Sequence, residues 1–385
     1  MPAYFDHNAT APPAPEILDS LPQVCTEAFG NPSSVHRIGQ RAKQVLELAH
    51  HQVATFLGCG PKEVVFTSGG TEADNLAILG TVLADPRPAK HIITTSIEHP
   101  AVLEACAYSE RQGVSVTYVQ PDGNGLIDPD RIRRQLRPET VLCSVMHANN
   151  ETGVLQPIAA IGALCRESGV LFHSDGVQSA GKVPVNVADL NVDLYSISGH
   201  KLNALKGIGA LYIREGVKLA ALTHGGKQER GRRPGTENLT GAWSLGVGCG
   251  LGRIDFSALR DRLEAGILAK VPDARVNGGG APRVPNTTNI QFDGIEGESM
   301  VIALDLKGFC VSTGAACSSG SLEPSHVLLA MGLAPAQAKS SIRFSLGQGN
   351  TEAEVDALIE AVAQSATHLR KLSAAYTPTK LTATK

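Results

Sequence analysis

Between residues 60 and 215, short β-branched and apolar runs alternate with longer stretches of helical periodicity, the pattern of an α/β layer with a largely parallel sheet. The runs at 64–67, 92–95, 114–118, 141–145, 170–173, 194–197 and 210–213 read as strands, and the stretches 71–83, 101–112, 129–135 and 158–167 as helices. A further helix over 34–56 precedes the sheet. A glycine-rich stretch at 246–252 leads to a change of pattern. Beyond about residue 255 the order becomes a helix at 258–270, strands at 288–292, 309–312 and 342–345, and a long helix from about 351, the make-up of a smaller α+β unit. The polar tail from Tyr376 is expected to fray. In open α/β sheets ligands bind beyond the carboxyl ends of the strands, so the chemistry is sought in the loops that leave them.

Composition narrows the class. The chain has 385 residues, 42% of them hydrophobic and 40 of them glycine, enough for a substantial core and two domains. A net charge of −3 without blocks of like charge points away from nucleic acid and acidic membrane partners. The eight cysteines are scattered and form no C-x-x-C pair, which suits reduced thiols in a cytoplasm and no resident metal site. The N-terminus lacks a basic-then-apolar leader, and no window reaches the ~20 apolar residues of a membrane span. A soluble, unexported protein is expected.

The strand exits carry the candidate chemistry. After the run at 194–197 comes Ser198-Gly199-His200-Lys201. A lysine there can form a Schiff base with an aldehyde cofactor, while the hydroxyl and imidazole bind its phosphate; taken alone, it also reads as a loop lysine. Thr67-Ser68-Gly69-Gly70-Thr71-Glu72 opens a helix and can cradle a phosphate, although Thr71 equally suits an ordinary N-cap. Asp175 can pair with a pyridinium nitrogen or simply cap a turn. His99 can stack on a ring and exchange protons. Asn149-Asn150-Glu151 offers amides to a carboxylate or forms a turn. Arg343 interrupts an apolar strand, either as a carboxylate fork or as an exposed edge residue. Cys317 sits in a loop of small polar residues, 312–321, a setting for a reactive thiol, and the other seven cysteines read as packing.

In this order the motifs resemble the cysteine desulfurases of the NifS/IscS-like group, in the class V aminotransferase branch of fold-type I pyridoxal phosphate (PLP) enzymes. The resemblance runs from Asp6-His7-Asn8-Ala9-Thr10 through Ser68-Gly69-Gly70-Thr71-Glu72, Glu98-His99-Pro100, Asn149-Asn150-Glu151, Ser174-Asp175 and Ser198-Gly199-His200-Lys201. It continues through Arg233-Pro234-Gly235-Thr236 and the Cys317 loop to Ser341-Ile342-Arg343-Phe344-Ser345. It implies a large domain (15–255) with a mostly parallel seven-stranded sheet, preceded by an arm (1–14) and followed by a small domain (256–385) that carries Cys317. By the same resemblance Lys201 bonds the cofactor aldehyde and removes the substrate Cα proton. Asp175 contacts the pyridine nitrogen, Gln178 the ring hydroxyl, and His99 stacks on the ring. Thr71, Ser198, His200 and the Gly70 backbone hold the phosphate, and Thr236 reaches the phosphate of the other subunit of a homodimer. Asn150 and Arg343 orient the substrate carboxylate. L-Cysteine becomes L-alanine, and its sulfur passes to Cys317 as a persulfide bound for an iron-sulfur scaffold or another acceptor protein. Cys317 can also lend one thiolate to a cluster in transit. A selenocysteine lyase, another class V transaminase and a non-catalytic phosphate-binding α/β protein are the rival readings. Where the family commonly has Gly-Pro, this chain has Ala204-Leu205, and Lys227 stands where a third glycine often follows Gly225-Gly226.

Overall fold

The structure, a computed structural model, describes residues 2–314 and 323–372. Its strands are β1 (Ala3–Tyr4), β2 (Val64–Thr67), β3 (His91–Thr95), β4 (Ser115–Val119), β5 (Thr140–Ser144) and β6 (Leu171–Asp175). They continue with β7 (Leu194–Ser198), β8 (Gly209–Ile213), β9 (Ala274–Val276), β10 (Thr287–Phe292), β11 (Phe309–Cys310) and β12 (Ser341–Ser345). The first helices are α1 (Pro15–Glu27), α2 (Arg37–Leu57), α3 (Gly70–Ala84), α4 (Pro100–Arg111), α5 (Pro129–Arg133) and α6 (Ile158–Glu167). The rest are α7 (Leu239–Gly250), α8 (Ser257–Lys270), α9 (Gly297–Asp305), α10 (His326–Ala330), α11 (Pro335–Lys339) and α12 (Glu352–Leu372).

Seven strands form the main sheet in the order β2-β8-β7-β6-β5-β3-β4. Every pairing from β7 to β4 is parallel, and β8 runs antiparallel to both β7 and β2. β3, β5 and β7 are buried along their whole length, as strands covered on both faces must be. One face packs on α3 and α4 through Val65, Leu76, Ala77, Val102 and Cys106. The other packs on α2, α6 and α7 through Leu46, Val53, Ile161, Phe172 and Leu245. A smaller antiparallel sheet, β12-β10-β9, has its own apolar cluster with α8, α9 and α12, which includes Phe5 of the N-terminal segment. Val327, Leu328, Met331 and Ala338 of α10 and α11 pack instead on the main cluster.

Several expectations are corrected. The stretch read only as glycine-rich is largely helical: Gly246, Gly248 and Gly250 lie in α7, where a Cβ on Gly246 would meet the Ala49 Cα at 3.2 Å and one on Gly248 the Leu202 carbonyl at 2.5 Å. Glycine is what lets this helix approach so closely. α2 starts at Arg37, capped by His36, not at residue 34. β11 pairs only over Phe309–Cys310, and Ser312 joins the sheet through an isolated bridge to Arg343. Cys25 is exposed, so not every remaining cysteine serves packing. Ala204 is buried against Ala14 and Ile17 of the α1 region, which absorbs that departure from the family pattern. The tail from Tyr376 lies outside the described residues.

Candidate active site

The exits of β2, β3, β5, β6 and β7 and the N-terminal segment surround a cavity of about 300 Å³. Lys201, Asp175, Gln178, His99, Gly70, Thr71, Ser198, His200, Asn150 and Arg343 all line it. Residues spread over 270 positions of sequence are therefore brought to one place. Thr236 stands on an exposed segment outside the lining. Cys317 lies outside the described residues; Gly314, also in the 312–321 loop, lines the cavity.

Lys201 ends a single 3-10 turn that follows β7 directly, so strand geometry fixes its base. Its Nζ donates to the main-chain oxygens of Asn8 and Ala9. Beside it, His200 Nδ1 meets Thr10 Oγ1 at 3.1 Å, and burial, helped by the Lys201 charge, pulls its pKa down to about 4. Asp175 ends β6 and is 5% exposed. Its Oδ1 accepts from the Val177 N–H at 2.9 Å. Burial, followed by the neighbouring Asp74 carboxylate, raises its pKa well above the usual carboxylate range. Two buried carboxylates side by side favour a cation in the space they face.

The cap of α3 departs from the Thr71 alternative. Gly69 is the N-cap, no side chain caps the helix, and Thr71 falls within the first turn. The first-turn N–H groups therefore have no side-chain acceptor, and with the helix dipole they form an anion-binding end. His99 is the N-cap of α4, its Nδ1 accepting from the Ala101 N–H at 3.1 Å. In the neutral ring the proton then sits on Nε2. Arg343 is 2% exposed, which overturns the reading of an exposed edge arginine. It donates to Asp6 Oδ1 (2.7 Å), the Asn150 carbonyl (3.0 Å) and the Gly314 carbonyl (3.3 Å), while its buried Nε has no partner among the described residues. The neighbouring Asn149 makes the turn: its Oδ1 accepts from the Glu151 and Thr152 N–H groups.

Matching against known families and proteins agrees with this geometry. The aminotransferase class-V model matches residues 3–358. A cysteine desulfurase from Trichormus azollae is 48% identical over 377 residues, 96% of this chain and 94% of that protein. The chain belongs to the class-V aminotransferase family, in its cysteine desulfurase branch. Among solved structures, a NifS-like protein superposes with a TM-score of 0.89 at 34% identity, covering 96% of this chain and all of that one. One described as SspA in complex with cysteine superposes with a TM-score of 0.82 at 37% identity, covering 89% and 98%. The fold is that of the fold-type I enzymes, and enzymes of this family depend on PLP.

The residues present fit that cofactor. A lysine amine, a buried carboxylate that favours a cation and an uncapped helix N-terminus are the three donor types that an aldehyde, a pyridinium nitrogen and a phosphate require, and the cavity lies at the lower end of small-ligand pockets.

Sequence reasoning missed Asp74, Lys182 and the role of Asn8. Asp74 is 1% exposed and lines the cavity, and its Oδ1, without a hydrogen-bond partner among the described residues, lies 3.5 Å from His173 Nε2. Its spacing of three from Thr71, one helical turn, was the available signal. Asn8 is a junction: its carbonyl accepts from Gln178 and Lys201, its Oδ1 from Lys182 and Asn286, and its Nδ2 donates to the Asn150 carbonyl and Thr287 Oγ1. Nothing local in the sequence marks it as one.

Proposed function

We propose that the chain is a PLP-dependent cysteine desulfurase that converts L-cysteine to L-alanine and takes the sulfur onto Cys317 as a persulfide. The observation that carries this reading is the convergence of Lys201, Asp175 and the buried Arg343 on one cavity, in a chain 48% identical to a cysteine desulfurase. Lys201 would bond the cofactor aldehyde, Asp175 face the pyridine nitrogen and Gln178 the ring hydroxyl, with His99 stacked on the ring. The Gly70 and Thr71 end of α3, Ser198 and His200 would hold the phosphate. PLP bound there supplies an electron sink that acidifies the Cα–H of an attached amino acid.

The chain's own groups do the rest. Arg343 and Asn150 orient the substrate carboxylate, the arginine through a two-pronged contact. Lys201 Nζ, as the neutral amine, takes the Cα proton. Cys317 Sγ, as thiolate, bonds to the substrate sulfur while the bond from that sulfur to Cβ breaks and its electron pair stays with carbon. Protons returned to carbon complete alanine, and the enzyme thiol has become a persulfide with no external oxidant. His99 Nε2 would exchange the thiol protons.

The persulfide is read as cargo for an iron-sulfur scaffold or another acceptor in a cytoplasm. Thr236, exposed and outside the cavity lining, supports a homodimer in which it reaches the partner's phosphate. The division into an arm (1–14), a large domain (15–255) and a small domain (256–385) is supported by the separate apolar cluster of the small sheet. The test is Cys317→Ser in the PLP-loaded protein. Visible absorbance of bound cofactor is expected to persist while sulfide release from L-cysteine is lost; unchanged sulfide production would refute the mechanism. Equal yields of alanine and sulfide from the wild-type protein, without keto acid, separate it from a transaminase.

A further inference from the structure

The chain turns once in helical fashion after β6, with Ala180 N–H bonded to the Gly176 carbonyl and Val183 N–H to that of Ser179. Gln178 and Lys182 are therefore one turn apart on the same side. Lys182 Nζ donates to Gln178 Oε1 at 2.6 Å and to Asn8 Oδ1 at 2.8 Å. Gln178 Nε2 donates to the Asn8 carbonyl at 2.9 Å. A carboxamide can present either end to a neighbour, and its partners decide which. Here the partners agree. A backbone carbonyl only accepts, so Nε2 faces Asn8; the lysine directs N–H groups at the two amide oxygens, so Oε1 faces Lys182. The Asn8 amide cannot reverse to relieve this, because its Nδ2 already donates to the Asn150 carbonyl and to Thr287 Oγ1. The second N–H of Gln178 is the one left for the cavity that Gln178 lines.

We propose that Lys182 is a positioning residue that locks the Gln178 carboxamide so that an N–H, and not a carbonyl oxygen, faces the ring hydroxyl of bound PLP and favours its ionised form. The inference rests on the reading of Gln178 as the partner of that hydroxyl. A carbonyl oxygen in the same place would oppose the ionised oxygen instead of stabilising it.

The setting of Lys182 suits the role. It is half-buried and lines, with Lys201, a second cavity of about 150 Å³, while its amine is held by the Gln178 and Asn8 amide oxygens. Burial, then the charges of Lys201 and Arg343, pull its pKa well below the usual lysine value. A neutral amine still directs two N–H groups at the same two oxygens. His7 and Glu16 are further titratable groups on that second cavity, and Asp74, Asp175, His99 and His200 line the cofactor cavity. All of these stay in place in the variants below.

The test is a pH titration of the visible absorbance of the PLP-loaded protein. A hydrogen-bond donor favours the deprotonated chromophore, so its loss raises the midpoint. Lys182→Met is expected to raise it by about one pH unit, the worth of one hydrogen bond. Lys182→Arg, which keeps N–H donors at this position, is expected to restore the wild-type midpoint. In a Gln178→Leu background Lys182→Met should add almost nothing, because the lysine acts through the amide. An unchanged midpoint in Lys182→Met, or the same rise in both backgrounds, overturns the proposal, the second result meaning a direct charge effect. If Lys182→Met does not fold, Lys182→Ala serves, since it also removes both N–H donors; a rise supports the proposal and no rise overturns it. A wild-type chain that takes up no PLP overturns both this inference and the functional reading. Normal uptake with unaltered midpoints overturns this inference alone.

Discussion

Glu98 has no exposed surface and yet only partial satisfaction: its Oε1 accepts from Thr95 Oγ1 at 2.6 Å and from the Met146 N–H at 3.0 Å, while Oε2 has no hydrogen-bond partner among the described residues. Burial, against those two hydrogen bonds, raises its pKa from 4.5 to about 8. The folded state thus holds a proton that the unfolded chain gives up over that interval, and stability falls as pH rises between the two values. Glu98→Gln keeps the shape and removes the titration. Chemical denaturation at about pH 5 and about pH 8 is expected to show the variant gaining on the wild type by at least about 1.4 kcal/mol, the equivalent of a tenfold change in proton affinity. Parallel stability curves would mean that the carboxylate finds a compensating partner. Arg343 makes the complementary point at this scale. Its sequence context allowed either an exposed edge residue or a carboxylate fork, and its 2% exposure removes the first.

Among the elements, Gly176 shows how tightly the cavity wall is built. It follows Asp175 at the end of β6, its N–H is tied to the Ser196 carbonyl at 3.0 Å, and a Cβ added to it would lie 2.0 Å from the Tyr195 ring. That ring is fully buried, and its hydroxyl is held by His147 Nδ1 at 2.9 Å and Ser179 Oγ at 2.7 Å. Neither side can yield cheaply. Gly176→Ala is expected to cost about 3 kcal/mol by overpacking and, by displacing Asp175, to weaken PLP binding. Urea denaturation and a PLP titration check the two effects, and unchanged stability would show that the Tyr195 ring swings away. Elements of this kind were legible where their residues favoured them. The β-branched and apolar runs of β2, β3 and β8 were found within a residue or so, and with them the strand-exit positions of Lys201, Asp175 and His99. What escaped was structure that propensity opposes. α1 carries Pro22 in its interior and has no side-chain cap, and α7 is rich in glycines that serve its contact with α2.

At the scale of the whole molecule, the decisive organisation is carried by the N-terminal segment, which no periodicity announces. β1 pairs in parallel with β11, Asp6 bridges to Ser345 of the small sheet, and Phe5 is buried in the small sheet's apolar cluster. The motif Asp6-His7-Asn8-Ala9-Thr10 could be recognised, but its purpose could not, because every partner of Asn8 is more than a hundred residues away. Asn8 is 2% exposed and joins Lys182 near the main sheet to Asn286 and Thr287 of the small-sheet region, with its carbonyl against Lys201. Asn8→Ala removes the side-chain bonds and leaves at least two buried polar groups short of a partner, a cost of about 3 kcal/mol. The carbonyl remains, so Lys201 keeps its contact, and PLP affinity is expected to fall less than stability. Deleting the segment through Thr10 removes the carbonyls of Asn8 and Ala9 together with Phe5, and both properties are then expected to collapse. Urea unfolding and a PLP titration on the point variant and the truncation separate these effects. A loss below about 0.5 kcal/mol for Asn8→Ala, the scale of an ordinary surface change, would show that the Asn8 side chain does not join the two sheets.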